Sequence, residues 1–114
     1  MEIREYLDEA GRSVFARWFK GLDARAAAKV TTVLARLEAG NLSEVKSVGA
    51  GVFERRIHFG PGYRVYFGRE GDRLIVLPGG GTKQGQHRDI EQAKRYWMAY
   101  RQRRIGGTTN GTNT

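Results

Sequence analysis

The hydrophobic pattern of this chain changes period near residue 52, and that change constrains the fold more than any other feature. Before it, apolar residues such as Val14 and Trp18 recur at helical spacing, as do those of the stretch 24–39. After it, residues 52–68 largely alternate between apolar and polar side chains. Spacings of three to four residues are typical of helices, and a spacing of two is typical of strands. The sequence therefore predicts an α+β fold in which two helices precede a sheet.

The predicted elements follow the order β-α-α-β-β-β-α. They are a strand over Glu2–Leu7, a helix capped by Ser13, a helix over Ala24–Ala39 capped by Asp23, strands over Val52–Phe59, Tyr63–Gly68 and Arg73–Leu77, and a helix over His87–Arg104. Residues 41–51 are predicted to be a connector. Because short turns join the three consecutive strands, we expect a small antiparallel sheet with the N-terminal helical hairpin packed on one face.

Length and composition favour one small domain. We expect residues 1–105 to form it and residues 106–114 (GGTTNGTNT) to be a disordered tail. The chain contains no cysteine, which excludes disulfides and thiolate chemistry, and its two histidines argue against a histidine-rich metal site. It shows no signal-peptide pattern and no apolar run of the ~20 residues that a membrane span requires. We therefore expect a cytoplasmic protein without a metal or other cofactor.

Positive charge dominates the composition. The chain carries 20 Lys+Arg against 12 Asp+Glu, a net charge of +8. Residues 82–104 alone hold seven basic and two acidic side chains, a net charge of +5. A fixed positive field of this size favours a polyanionic partner such as nucleic acid, because each neutralised phosphate releases counterions.

Alternation divides the hairpin 53–67 into two faces. One face is mainly apolar and is expected to cover the helices: Phe53, Ile57, Phe59, Tyr63, Val65 and Phe67. The other face collects polar side chains: Glu54, Arg56, His58, Arg64 and Tyr66. A three-residue turn at Gly60–Gly62 predicts that His58 lies opposite Arg64 and that Arg56 lies opposite Tyr66. Arg55 falls on the apolar face, so we expect it at the sheet margin with its head in water.

The polar face has an ordinary explanation and a functional one. Exposed sheet faces are commonly polar, but neighbouring like charges on a sheet are destabilising unless an anion fills the space between them. Tyr66 offers a ring on which a base can stack. Lys83 projects from the loop Gly79–Gly81, and His87 begins the last helix either as a capping residue or as a proton-transfer group.

These residues occur in motifs that resemble a known family. The stretches Phe53-Glu54-Arg55-Arg56-Ile57, Gly60-Pro61-Gly62-Tyr63-Arg64-Val65-Tyr66-Phe67, Gly79-Gly80-Gly81-Thr82-Lys83-Gln84 and Arg88-Asp89-Ile90 look like the RelE/ParE toxin superfamily. Within it they resemble the HigB-like, phage-derived addiction-module killer proteins. The resemblance covers roughly residues 1–104 and implies a RelE-like fold. It also implies a toxin of a type II toxin–antitoxin system that cleaves mRNA on the ribosome and is neutralised by a helix-turn-helix antitoxin.

The resemblance implies roles for individual residues. Arg64 would stabilise the charge that develops on the phosphate, Arg56 would contact it, and Lys83 would protonate the leaving 5′-oxygen. The base is left open among Glu54, His58 and His87, and Glu54 can instead hold Arg56 or Arg64. The remaining RNA-binding residues are expected to be Tyr66, Arg88 and Lys94.

The same fold leaves two other functions open. One is inhibition of DNA gyrase in the manner of ParE, without catalysis, and the other is a non-catalytic basic nucleic-acid-binding module.

Overall fold

The computed structural model describes residues 1–81 and 83–113, with side chains described through residue 104. Within these residues the chain forms a five-stranded mixed sheet and three helices. In chain order the elements are β1 (Glu2–Glu5), α1 (Val14–Lys20), α2 (Ala24–Glu38), β2 (Val45–Gly49), β3 (Val52–Arg56), β4 (Arg64–Glu70), β5 (Arg73–Val76) and α3 (Gln86–Asn113). The α+β class is confirmed. The predicted tail over 106–114 falls outside the described side chains and stays a prediction.

Capping side chains begin the first two helices as expected. The Ser13 side chain accepts a hydrogen bond from the Ala16 amide at 3.0 Å, and the Asp23 side chain accepts one from the Ala26 amide at 2.8 Å. Each bond satisfies a backbone donor that the helix itself leaves without a partner. Both predicted N-caps are confirmed, and α2 lies within one residue of its predicted bounds.

The sheet differs from the prediction in two respects. Its strand order is β1-β5-β4-β3-β2, and β1 pairs with β5 in parallel. The prediction of an antiparallel sheet was therefore wrong at the edge formed by β1. The predicted connector contains a strand, β2, which pairs with β3 through a tight turn in which Gly49, Ala50 and Gly51 all have positive φ. The predicted order with four strands was therefore one strand short.

The hairpin keeps its predicted faces but changes its register. Arg56 pairs with Arg64 and Glu54 pairs with Tyr66, so the predicted pairs of His58 with Arg64 and of Arg56 with Tyr66 were wrong. The Phe59 amide bonds the Ile57 carbonyl at 2.8 Å, so the chain bends before it reaches the glycines. This bend removes His58 and Phe59 from the strand.

Each face of the sheet carries a buried cluster. The α1–α2 hairpin packs on one face, and the buried members of this cluster are Phe15, Val30, Val33, Leu37, Ile57, Val65, Phe67, Leu74 and Val76. On the opposite face α3 packs its apolar stripe, whose most buried residues are Ala93 and Trp97. The face predicted to be polar and open is therefore covered by a helix. No helix in the described part of the chain is long and apolar enough to cross a membrane.

Trp97 lies so close to the sheet that position 68 must be small. A Cβ atom added to Gly68 would lie 2.2 Å from Cε3 of Trp97, whereas one added to Gly81 would lie 3.4 Å from the nearest atom of Tyr63. Neither glycine has a positive φ angle. We predict that Gly68→Ala lowers the free energy of unfolding by about 1–3 kcal/mol through overpacking, as measured by chemical denaturation. Gly81→Ala is the matched control, and an equal loss in both variants would contradict this packing.

Candidate functional site

The loop after β5 and the first turn of α3 both contact the hairpin at one end. The Arg64 amide donates to the Gly80 carbonyl at 2.8 Å, and the Gly80 amide donates to the Arg64 carbonyl at 2.9 Å. Gln86, in the first turn of α3, donates from Nε2 to Oε2 of Glu54 at 3.0 Å. The start of β4, the loop after β5 and the beginning of α3 therefore form one unit.

A buried ion pair lies at the centre of this unit. Nε of Arg64 is 3.7 Å from Oε2 of Glu54, and each side chain is only 4% exposed. Arg64 also donates from Nη1 to the Gly62 carbonyl at 3.1 Å. Of the two alternatives for Glu54, the structure shows the one in which it holds Arg64. Removing either partner from such a pair leaves an uncompensated buried charge, which typically costs about 3–5 kcal/mol.

Tyr66 is fully buried beside the ion pair, across the strand pair from Glu54. Burial is the main cause that raises the pKa of its phenol, and the negative charge of Glu54 raises this pKa further. The geometry to Glu54 falls short of a hydrogen bond, and the hydroxyl has no hydrogen-bond partner among the described residues. At neutral pH the Tyr66 phenol therefore stays protonated beside the Glu54 carboxylate.

Asp89 completes the cluster from the first turn of α3. A Cβ atom added to Gly80 would lie 2.4 Å from Oδ2 of Asp89, so the carboxylate occupies the space that a side chain at position 80 would take. Burial raises the pKa of Asp89, while the charges of Arg64 and Arg88 act to lower it. The Asp89 carboxylate is thus held against the glycine loop within the electrostatic reach of Arg64.

Exposed basic residues lie next to members of this buried cluster in the sheet register or in the sequence. Arg56 follows Glu54 on the same face and is exposed opposite Arg64. Lys83 is exposed just before α3, and its carbonyl accepts a hydrogen bond from the Gln86 amide. His87 and Arg88 follow Gln86 and are also exposed. Of the predicted residues, Arg56 is therefore paired with Arg64 in the sheet, and Lys83, His87 and Arg88 lie within three residues of Gln86.

Two predicted site residues lie elsewhere. The bend after β3 directs His58 towards Glu44, and Nε2 of His58 is 3.7 Å from Oε1 of Glu44. Glu44 also binds Nη2 of Arg55 at 3.0 Å, so the Arg55 head is buried and paired rather than in water. Lys94 lies on α3, ~12 Å along the helix axis from Gln86. Its Nζ pairs with Glu91 at 3.8 Å and lies beside the β2–β3 turn.

Sequence reasoning missed Gln86 and named Asp89 only as part of the motif Arg88-Asp89-Ile90. No pattern in one sequence reveals that Gln86 reaches Glu54. A signal for Asp89 did exist in the run Gly79–Gly81, because consecutive glycines allow other groups to approach the backbone closely. The approaching groups are side chains of the same protein. A Cβ atom on Gly79 would lie 2.4 Å from the Trp18 ring, and the Asp89 carboxylate packs against Gly80.

Comparison with known proteins gives one informative match. A Haemophilus influenzae protein, described only as an uncharacterized protein, is 44% identical over 81 residues. The match covers 70% of this chain and 82% of the relative. This chain belongs to the same family as the Haemophilus influenzae protein. No family model matches the chain, and the description of the relative states no activity.

The orphan hydroxyl of Tyr66 gives a stability test. We predict that Tyr66→Phe raises the free energy of unfolding by about 1 kcal/mol, because it removes a buried polar group that lacks a partner. The matched control is Tyr100→Phe, since the Tyr100 hydroxyl donates to Glu70 at 3.1 Å. This control should lose about 1 kcal/mol. Equal losses in both variants, measured by urea denaturation, would contradict the assignment of an orphan hydroxyl.

Proposed function

We propose that this protein is a toxin of the RelE/ParE superfamily, of the HigB-like branch, that cleaves mRNA on the ribosome. The observation that supports it best is the convergence of the hairpin, the glycine loop and the start of α3. These are the segments that carry the family-like motifs, and they combine exposed basic residues with one buried arginine. We further propose that it acts in the cytoplasm and is neutralised by a cognate helix-turn-helix antitoxin.

The proposed reaction is an intramolecular transesterification at a phosphodiester of the RNA. The ribose 2′-oxygen attacks the adjacent phosphorus, the bond from phosphorus to the 5′-oxygen breaks, and negative charge builds on the phosphate oxygens. Arg64 and Arg56 would stabilise that charge, a role in which preorganised cations are effective without a metal. Lys83 would give the departing 5′-oxygen its proton.

The position of each candidate base favours His87 as the acceptor of the 2′-hydroxyl proton. Glu54 is bound to both Arg64 and Gln86, so its carboxylate is already engaged within the protein. His58 lies beside Glu44, which is not part of the cluster. His87 is exposed in the first turn of α3, and an imidazole is suited to proton transfer near neutral pH.

A specific observation also favours the second candidate, a gyrase inhibitor without catalysis. Arg64 is buried and paired with Glu54, so in this conformation its charge is already balanced within the protein. An arginine held in this way stabilises the fold, and the exposed Arg56 and Arg88 would then serve only for binding. A non-catalytic nucleic-acid-binding module would use the same exposed residues.

We predict that Arg56→Ala and Lys83→Ala each reduce mRNA cleavage by roughly 100-fold or more without loss of stability, because both side chains are exposed. Arg36→Ala, which removes an exposed arginine from α2, is the control with the same charge change. The measurement is mapping of new 5′-hydroxyl RNA ends after induction in bacteria that lack an antitoxin. Arg64→Ala is a poorer test, because it breaks the buried pair with Glu54 and endangers the fold.

The same induction experiment separates the proposed functions. Growth arrest with new cuts in translated mRNA supports the endonuclease. Intact mRNA together with double-strand breaks in DNA would overturn it in favour of gyrase inhibition. Full cleavage by both Arg56→Ala and Lys83→Ala would show that the reaction uses another surface.

A further inference from the structure

An apolar groove lies between the middle of α3 and the turn that joins β2 to β3. It has a volume of about 530 Å³, and its apolar lining includes Ala50, Trp97 and Met98. Met98 is 60% exposed, and in the described part of the chain the other large hydrophobic residue with high exposure is Leu7. A methionine held in a groove provides adaptable apolar surface of the kind that binding sites use.

Basic side chains border this groove. Lys94 and Arg101 lie about one helical turn before and after Met98, which separates them by ~10 Å along the axis of α3. Lys94 pairs with Glu91 at the long distance of 3.8 Å, and the exposed Arg101 forms no ion pair with the residues that the structure describes. Arg95 adds a third positive charge against the single acid Glu91. The groove is therefore apolar at its centre and positive at both ends.

Trp97 adds an unused hydrogen-bond donor. Its side chain is 5% exposed, and its Nε1 faces the β2–β3 turn, where a Cβ atom on Gly51 would lie 2.8 Å from it. No described residue accepts a hydrogen bond from this nitrogen, and the nitrogen is not fully enclosed. A largely buried tryptophan usually has a partner for its N–H group. The groove thus offers a donor to a carbonyl or carboxylate oxygen that enters it.

The chemistry of the groove favours a peptide over a nucleic acid. Proteins that bind single-stranded RNA stack its bases on open aromatic faces. The Trp97 ring stacks on Tyr100, with centroids 5.3 Å apart, and packs against Gly68, so it has no open face. The apolar surface of Met98 would gain nothing from a phosphate backbone. An apolar centre between two cations instead matches a segment that is both apolar and acidic.

We propose that this groove is a docking site for an acidic amphipathic helix of a partner protein. An apolar side chain of that helix would contact Met98 and Ala50, and carboxylates one turn to either side would pair with Lys94 and Arg101. Residues at i, i+4 and i+7 share one face of a helix and span the same ~10 Å, so the two patterns match. This surface is separate from the proposed reaction and does not depend on it.

The test uses the full chain labelled with ¹⁵N and three probes. The first is a synthetic helical peptide of about 15 residues with Glu, Leu and Glu at i, i+4 and i+7. The second is the same peptide with Lys in place of each Glu, and the third is a short oligouridylate RNA. The indole N–H resonance of Trp97 reports on the groove. That of Trp18, the other tryptophan of the chain, is the internal control, because Trp18 packs against Gly79 instead.

We expect the acidic peptide to shift the Trp97 resonance in a saturable way and to leave Trp18 unchanged. Met98→Gln should weaken this binding by roughly fivefold, because it removes the apolar contact. Leu7→Gln, at the other exposed large hydrophobic residue, should change it less than about twofold. Arg101→Glu should weaken it by roughly tenfold, since repulsion replaces attraction, whereas Arg36→Glu makes the same charge change on α2 with little effect.

Four results would overturn the proposal. They are a Trp97 resonance that the acidic peptide does not move, equal losses in a groove variant and its control, a stronger response of Trp97 to RNA than to the acidic peptide, and a Trp97 shift that follows protein concentration without any peptide. The third would identify a nucleic-acid surface, and the fourth would identify contact with a second copy of the chain. None of these results bears on RNA cleavage, which the induction experiment measures separately.

Discussion

The buried ion pair between Arg64 and Glu54 determines how the rest of the site is arranged. Both side chains are almost fully removed from water, so loss of either partner would leave a buried charge uncompensated at a large cost in free energy. Gln86 binds the same carboxylate, which fixes the first turn of α3 over the end of the hairpin. The backbone bonds between Arg64 and Gly80 fix the loop that precedes Lys83. These contacts hold the segments of Lys83, His87 and Arg88 at the end of the hairpin that carries Arg56.

The two faces of the sheet are stabilised by different kinds of contact. The α1–α2 hairpin buries the larger apolar cluster on one face, and this cluster includes no residue of the candidate site. The α3 face combines an apolar part around Trp97 with the polar part around Arg64. Because Trp97 packs against Gly68, α3 is anchored about two to three turns away from its first turn. The first turn is thus held at the site by polar contacts, chiefly the bond from Gln86 to Glu54.

Local signals in the sequence predicted a large part of the fold. Ser13 and Asp23 identify the starts of α1 and α2, because each side chain satisfies a backbone amide of its own helix. The alternation through the hairpin also assigned Val65 and Phe67 correctly to the face that covers the helices. These features depend on residues that are close in sequence, so a single chain carries enough information to reveal them.

The features that sequence missed depend on contacts between distant segments. The strand β2 has weak alternation and exists because it pairs with β3, and β1 lies parallel to β5 because the chain returns across the sheet. The hairpin register depends on a bend at Ile57 to Phe59, and the turn sequence Gly60-Pro61-Gly62 does not predict this bend. The sequence also gave no sign that α3 covers the polar face of the hairpin. The basic residues on that face predicted contact with water or phosphate rather than with a helix.

The most direct test of this account observes the guanidinium group of Arg64 itself. In protein labelled with ¹⁵N at arginine, the Nε–Hε resonance of Arg64 can be followed while inorganic phosphate or a short non-cleavable RNA is added. The account predicts that this resonance shifts and saturates together with those of the first turn of α3. A resonance of Arg64 that stays in place while Arg56, Lys83 and His87 respond would contradict it, because the buried pair would then be only structural.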